Sequence, residues 1–247
     1  MTPPQNPVQA LIADNLAKKS YIWRQIPFKM EAKDRAQELM ELWMEESSTD
    51  YRRLMAYYEC AIMEVETKFK VLSKNFSLGD DCNPIESIQS RLKSTRSIFK
   101  KMQKKGLPLT VEAIEKNLHD IAGVRVICST ISDIYTLADA FIGQDDVFLV
   151  ERKDYIAEPK ENGYRSLHLI VSTPIFLENQ KRMMEVEVQM RTLSMDTWAS
   201  LEHKFRYKKE SNPYIDEIAA ELRACAEACA TIDARMQHVH DLRYADK

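Results

Sequence analysis

The chain has 247 residues, 45% of them hydrophobic and 30% charged, with a formal net charge of −3. That length suits one substantial domain with helical additions, and that balance is ordinary for a globular protein rather than a disordered or fibrous one. It excludes a general polyanion-binding surface, so any phosphate site must be local, and no stretch approaches the ~18 consecutive apolar residues of a membrane span.

The opening MTPPQNPVQALIADNLAKK lacks the apolar run of a secretory signal, which predicts a cytoplasmic protein. Residues 1–27, rich in proline and polar groups, predict little regular structure. A helical period follows over Lys29–Met44, with Ala36, Leu39, Met40 and Trp43 on one face. A second helix is predicted over Tyr51–Phe69, with Leu54, Tyr58, Ile62, Val65 and Phe69 as its stripe. Polar sequence then leads to Asn83 and Pro84.

IESIQSRLK, residues 85–93, reads two ways. Asn83, Pro84 and Glu86 resemble a helix start. Alternation of Ile88, Ser90 and Leu92 against Gln89, Arg91 and Lys93 suits a strand. A short helix over Val111–Leu118 leads into Asp120. IAGVRVICS, residues 121–129, is β-branched enough for a strand. Ser132 or Asp133 is the expected cap of a helix ending near Ile142. A strand is predicted over Val147–Lys153, a turn at Asn162-Gly163, and strands over Tyr164–Ser172 and Met183–Arg191. In the last of these, Met184, Val186, Val188 and Met190 point one way, and Glu185, Glu187, Gln189 and Arg191 the other. Helices over Ser194–Tyr207 and Tyr214–Tyr244 close the chain. Five strands interleaved with helices describe an α+β fold with a mixed sheet.

Cys60, Cys82, Cys128, Cys225 and Cys229 form no CxxC pair and fit reduced thiols. Cys225 and Cys229 are expected to pack. His119-Asp120 and His240-Asp241 spell the dipeptide of metal-dependent phosphohydrolases, but no histidine precedes His119. That chemistry needs an upstream histidine ligand as well.

DYIAEPKENGYRSLH followed by VEVQMRT closely resembles the synthetase domain of RelA/SpoT-type enzymes. The likeness is to the small, single-domain alarmone synthetases, and it runs from about Pro84 to about Tyr207. It implies a nucleotidyltransferase-like sheet flanked by helices. The expected division is a helical extension over 1–83, the synthetase domain over 84–210, and a C-terminal helix over 211–247. It favours a strand at 85–93 leading into a helix that starts near Ser94. That helix carries Ile98, Phe99 and Met102 inward beside Lys100, Lys101 and Lys104, and Gly106 and Pro108 end it.

Family members move the pyrophosphate of ATP onto the 3′-hydroxyl of GTP or GDP, so the implied activity is that of a GTP pyrophosphokinase with Mg²⁺ as cofactor. Such transfer needs an activated hydroxyl, a metal bridging phosphate oxygens and cations on the triphosphate. The resemblance assigns Glu187 in VEVQMRT and Asp120 in DIAGVR to metal and catalysis, with Arg125 beside them and Gly123 allowing close backbone approach. RLKSTRSIFKKM is similar to the family's ATP-binding segment, which implicates Arg91, Lys93, Ser97, Lys101 and Lys104. Lys153 stands where some members carry an adenine-packing arginine. Tyr164 resembles the tyrosine that stacks on the acceptor's guanine. Lys160, His168 and Gln189 match positions near that nucleotide. Asp196 is expected to pair with guanine, Glu202 in WASLEH to have a site role, and His203 to pack. A homotetramer is implied; no stable nucleic-acid partner and no membrane are expected. Two other readings stay open on the residues: a toxic relative acting on adenine nucleotides or the tRNA end, and a non-catalytic nucleotide-sensing protein.

Overall fold

A computed structural model describes residues 48–78, 83–206 and 213–245. The helix expected over 29–44 and Cys82 lie outside them. Asp50–Lys247 form one compact unit. Its first helix, α1 (Ser48–Phe76), buries Leu54, Tyr58, Ile62, Val65 and Phe69, the stripe predicted from spacing. Residues 85–93 take the strand reading as β1 (Ile85–Leu92). Ser94 then caps α2 (Thr95–Lys104), its hydroxyl accepting from the Ser97 N–H, and Ile98, Phe99 and Met102 are buried. Gly106 stops this helix with φ at 64°. Thr110 caps α3 (Val111–Asn117), which leads through Asp120 into β2 (Ala122–Cys128).

The cap of α4 (Ile131–Ile142) corrects the expectation of Ser132 or Asp133. Thr130 accepts from the Asp133 N–H while the Asp133 carboxylate takes the Thr130 N–H. This reciprocal box satisfies two end donors at once. Strands β3 (Phe148–Asp154), β4 (Leu167–Phe176) and β5 (Lys181–Thr192) follow. The chain closes with α5 (Leu193–Arg206) and α6 (Ile215–Tyr244).

Tyr164 does not begin β4 as predicted. The Lys160 N–H donates to the Tyr164 carbonyl, and the Gly163 N–H to the Lys160 carbonyl. The Asn162 side chain accepts from the Tyr164 N–H. These bonds close a turn over residues 160–164, so the ladder opens only at Leu167. On α6, Ile218, Leu222, Cys225, Cys229 and Ile232 stand at helical spacing, a stripe that could pack on its own domain or meet a partner. Ala226 and Asp233 are buried, whereas Cys225 and Ile232 are exposed. Cys225 is therefore not a packing residue within the chain, and His203 likewise stands exposed.

The strand order is β1-β2-β5-β4-β3. Only the β2–β5 pair is parallel. One sheet face is core: Ala122, Val124, Val126, Leu167, Leu169, Val171, Met184, Val186, Val188 and Met190 are at most 2% exposed. Each large aliphatic among them contributes about 1.5–3 kcal/mol by leaving water. Helix α4 packs on β2 and β5, and Phe141 of α4 stacks on Phe69 of α1 at 4.4 Å between centroids.

Candidate active site

Strand register builds the other face. Gln89, Arg125, Gln189, His168 and Lys153 are neighbours in one row across all five strands. The next row is Arg91, Gly123, Glu187, Ile170 and Glu151. Alternation puts each of these side chains opposite the core. Six of the fifteen residues expected to act on nucleotide, Arg91, Arg125, Lys153, His168, Glu187 and Gln189, are thus brought together by pairing between strands distant in sequence.

Gly123 stands between Arg91 and Glu187. A Cβ there would meet the Arg91 Cγ at 3.6 Å, an ordinary contact. The protein's own packing does not demand glycine at this position; its effect is to leave room. A cavity of about 90 Å³ lies there, lined by Gln89, Arg91, Gly123, Arg125, Glu187 and Gln189. A second, of about 220 Å³, is lined by Glu151, Lys153, Tyr155, Lys160, His168 and Glu187. Glu187 borders both.

Sequence parity leaves Glu185 and Glu187 equivalent, but their partners separate them. Glu185 is bound by His119, whose Nδ1 lies 2.5 Å from its Oε2. Glu187 has His168 Nδ1 at 3.3 Å from Oε1 and accepts from Gln189 Nε2 at 3.0 Å on Oε2. Burial raises its pKa and Asp120's charge raises it further, but His168 and Gln189 outweigh both and hold it below the ordinary carboxylate value. The carboxylate is therefore ionised at neutral pH.

Asp120 sits at the mouth of β2, where Lys93 and Lys101 both donate to its Oδ2, at 2.5 and 2.7 Å. Burial raises its pKa, yet the two ammonium groups bring it below the usual value. Its Oδ1 is buried with no hydrogen-bond partner. The Arg125 Nε is in the same condition. Buried polar atoms in native proteins are nearly always paired, so an unpaired acceptor and donor near one face are what a bound ligand would satisfy. Among the described residues no group of three or more His, Cys, Asp or Glu is placed to hold a metal ion. Mg²⁺ ordinarily takes one or two carboxylates and completes its shell with phosphate oxygens and water, so Asp120 and Glu187 fit that ion.

The remaining predicted residues fall in three places. Ser97 lies at the start of α2, its Oγ 2.9 Å from that of Ser94, and Lys104 is exposed on the same helix. Lys153 points into the second cavity, paired with Glu151 at 2.6 Å, not into the one that holds Arg91 and Arg125. Lys160 Nζ stands 4.3 Å from the Tyr155 ring centroid and 4.9 Å from that of Tyr164. Asp196 Oδ1 is taken by Arg191 at 3.0 Å and Arg125 at 3.2 Å. Glu202, bonded by Asn162 at 3.4 Å, lines a separate hollow between α5 and α6. The residue the sequence reading passed over is Arg191. It is 4% exposed and contacts Asp196, Gln189, Tyr164 and Ser166. Its place on the polar side of an otherwise buried strand was the available signal.

The region found in RelA / SpoT proteins matches residues 90–212. The GTP pyrophosphokinase YwaC of Bacillus subtilis is 42% identical over 187 residues, 76% of this chain and 89% of that protein. The chain belongs to the RelA/SpoT family, as a small alarmone synthetase and GTP pyrophosphokinase. The crystal structure of small alarmone synthetase 2 from B. subtilis is 40% identical, with a TM-score of 0.70 over 78% of this chain and 98% of that one. That of small alarmone synthetase 1 bound to its product pppGpp is 34% identical, with a TM-score of 0.71 over 77% and 96%. In this synthetase the described part of the match, from Ser90 in β1 through α5, contains Glu187 and every lining residue named for the two cavities except Gln89. None of its described helices is long and apolar enough to cross a membrane.

Proposed function

We propose that this synthetase moves the pyrophosphate of ATP onto the 3′-hydroxyl of GTP or GDP, forming guanosine penta- or tetraphosphate and AMP in the cytoplasm. The carrying observation is the Glu187 carboxylate, shared by two cavities and next to Gly123 across the β2–β5 pair. A relative's crystal structure with bound pppGpp supports the acceptor and product.

Arg91, Lys93, Ser97, Lys101, Lys104 and Arg125 hold the donor triphosphate from β1, α2 and β2; Lys153, the remaining residue proposed for ATP, would have to reach it from the second cavity. Tyr164, Lys160, His168, Gln189 and Asp196 form the acceptor side; Glu202, in its separate hollow, bears on it through Asn162 of the turn that carries Tyr164. Glu187 Oε takes the proton of the 3′-hydroxyl as its oxygen bonds to the β-phosphorus. The bond from that phosphorus to the α,β-bridging oxygen breaks, and AMP carries the electron pair away. Arg125 stabilises the charge that spreads over the phosphate oxygens. Asp120 and Glu187 would hold Mg²⁺, which supplies charge neutralisation on those oxygens. A homotetramer is the proposed assembly.

Incubation with ATP, Mg²⁺ and each of GMP, GDP, GTP, ATP or deacylated tRNA, followed by chromatography, tests this. Equal amounts of AMP and a pyrophosphorylated guanosine nucleotide are expected with GDP or GTP. Modified tRNA or adenine nucleotide instead would refute the acceptor. Glu187→Gln is expected to lower kcat by roughly 10²–10⁴, with both KM values changed only a few-fold.

A further inference from the structure

Both oxygens of Glu187 are held, and both chains of bonds lead back to one atom. Arg191 Nη2 donates to the Tyr164 hydroxyl at 2.6 Å and to Gln189 Oε1 at 3.0 Å. A guanidinium donates only and an ionised carboxylate accepts only, so the two ends together set the direction of the bonds between them. With its oxygen on Arg191, the Gln189 amide must present its NH₂ to Glu187 Oε2, at 3.0 Å. Between the two ends, the Tyr164 hydroxyl accepts from Arg191 and, with a neutral His168 ring, donates to His168 Nε2, 2.8 Å away. The Glu187 carboxylate can only accept, so the proton of the neutral ring belongs on Nδ1, which faces Glu187 Oε1 at 3.3 Å.

We propose that Arg191 is a positioning residue, which through a closed ring of Arg191, Tyr164, His168, Glu187 and Gln189 holds His168 as its Nδ1–H tautomer and aims the Glu187 carboxylate. The inference rests on the reading of Glu187 as the base for the acceptor hydroxyl. Arg191 is itself fixed, buried at 4% exposure, with Nη1 on Asp196 at 3.0 Å and its guanidinium carbon 5.2 Å from the Tyr164 ring centroid. A purely structural ion pair with Asp196 needs only Nη1. The two Nη2 bonds have a different product: every donor in the ring ends on one carboxylate, which keeps its remaining lone pairs toward the two cavities. A base misplaced by about 1 Å can lose on the order of 10² in rate, so such a frame has a direct kinetic use. It also gives Tyr164 a second task, because its hydroxyl belongs to the frame while its ring meets the acceptor side.

The test pairs spectroscopy with kinetics on the full chain. In ¹⁵N-histidine-labelled protein, His168→Gln identifies the His168 signals. The wild type is expected to show an unprotonated Nε2 and a protonated Nδ1. Tyr164→Phe removes the donor to Nε2 and should move the His168 Nε2 chemical shift while Nδ1 stays protonated against Glu187. An Nε2–H form or an imidazolium in the wild type, or no change in Tyr164→Phe, overturns the ring. In kinetics, Tyr164→Phe should lower kcat several-fold with acceptor KM within about threefold, since the ring is kept. Arg191→Lys should lower kcat about 10- to 100-fold, the usual cost of losing an outer partner. A raised KM with unchanged kcat in both variants overturns the positioning role; if Arg191→Lys does not fold, Tyr164→Phe decides alone. If Glu187→Gln stays active, the base assignment fails, while the tautomer readout still decides the ring.

Discussion

Asp120 carries two ammonium groups on one oxygen and leaves the other unpaired, an arrangement that ties stability to pH as well as to ligand. Its folded pKa lies below the ordinary aspartate value. A depressed carboxylate contributes stability that is present above the unfolded pKa and is lost as pH falls through the folded one. Asp120→Asn cannot lose that contribution. The melting temperature of wild type should therefore exceed that of Asp120→Asn at pH 7, by a difference worth about 1 kcal/mol given partial exposure of the pair. The gap should close as pH drops below about 4. The same substitution should raise the Mg²⁺ concentration for half-maximal rate by about 10-fold or more. A gap that widens in acid, or an unchanged Mg²⁺ requirement, would count against this reading of Asp120. At Glu187 the deciding fact is likewise local: His168 and Gln189 hold its charge against burial, while Glu185 two residues earlier is bound to His119.

The turn before β4 joins the site to α6. Gly163 has φ at +88°, and a Cβ there would come within 2.5 Å of the Ala226 Cβ. Both facts require glycine, one through backbone conformation and one through contact with the helix. Gly163→Ala should cost about 1–3 kcal/mol in urea denaturation and raise the acceptor KM, because Tyr164 is the next residue. Ala226→Gly removes the contact but not the strained φ, so the double variant should lose less than the sum of the two single ones. Strict additivity would show that the turn does not press on the helix. This contact also marks the face of α6 that packs inward. The residue packed under the turn is Ala226, small enough to fit, and Cys225 is left exposed.

For the whole molecule, Ile232, Met236, Val239 and Leu242 lie along α6 at 49–62% exposure, with Leu193 of α5 at 57%. Large apolar side chains grouped on one helix are what an interface between copies would cover. Light scattering at micromolar concentration should return four times the chain mass, and Met236→Glu should lower it. A monomer mass for wild type would end the tetramer proposal. The sheet supplies a different kind of long-range order. Its two rows of site residues draw on five strands, so no short segment of the chain could carry the chemistry alone.

Much of this was legible in local pattern. Alternation in β5 separated Met184, Val186, Val188 and Met190 from Glu187, Gln189 and Arg191, because side chains on a strand point alternately to its two faces whatever it pairs with. The stripe of α1 followed from helical period in the same way, whereas the helix that became α2 was implied by the family resemblance. The sequence motifs also sufficed for the family. Periodicity reports a face, however, and not what stands beside a residue on the next strand. The choice between Glu185 and Glu187, the pairing of Asp196 with Arg125 and Arg191, and the convergence of Arg191, Tyr164, His168 and Gln189 on one carboxylate all depend on strand order and register. Those were decided only when β5 took its place between β2 and β4, since hydrogen-bond partners from different strands exist only after the strands have met.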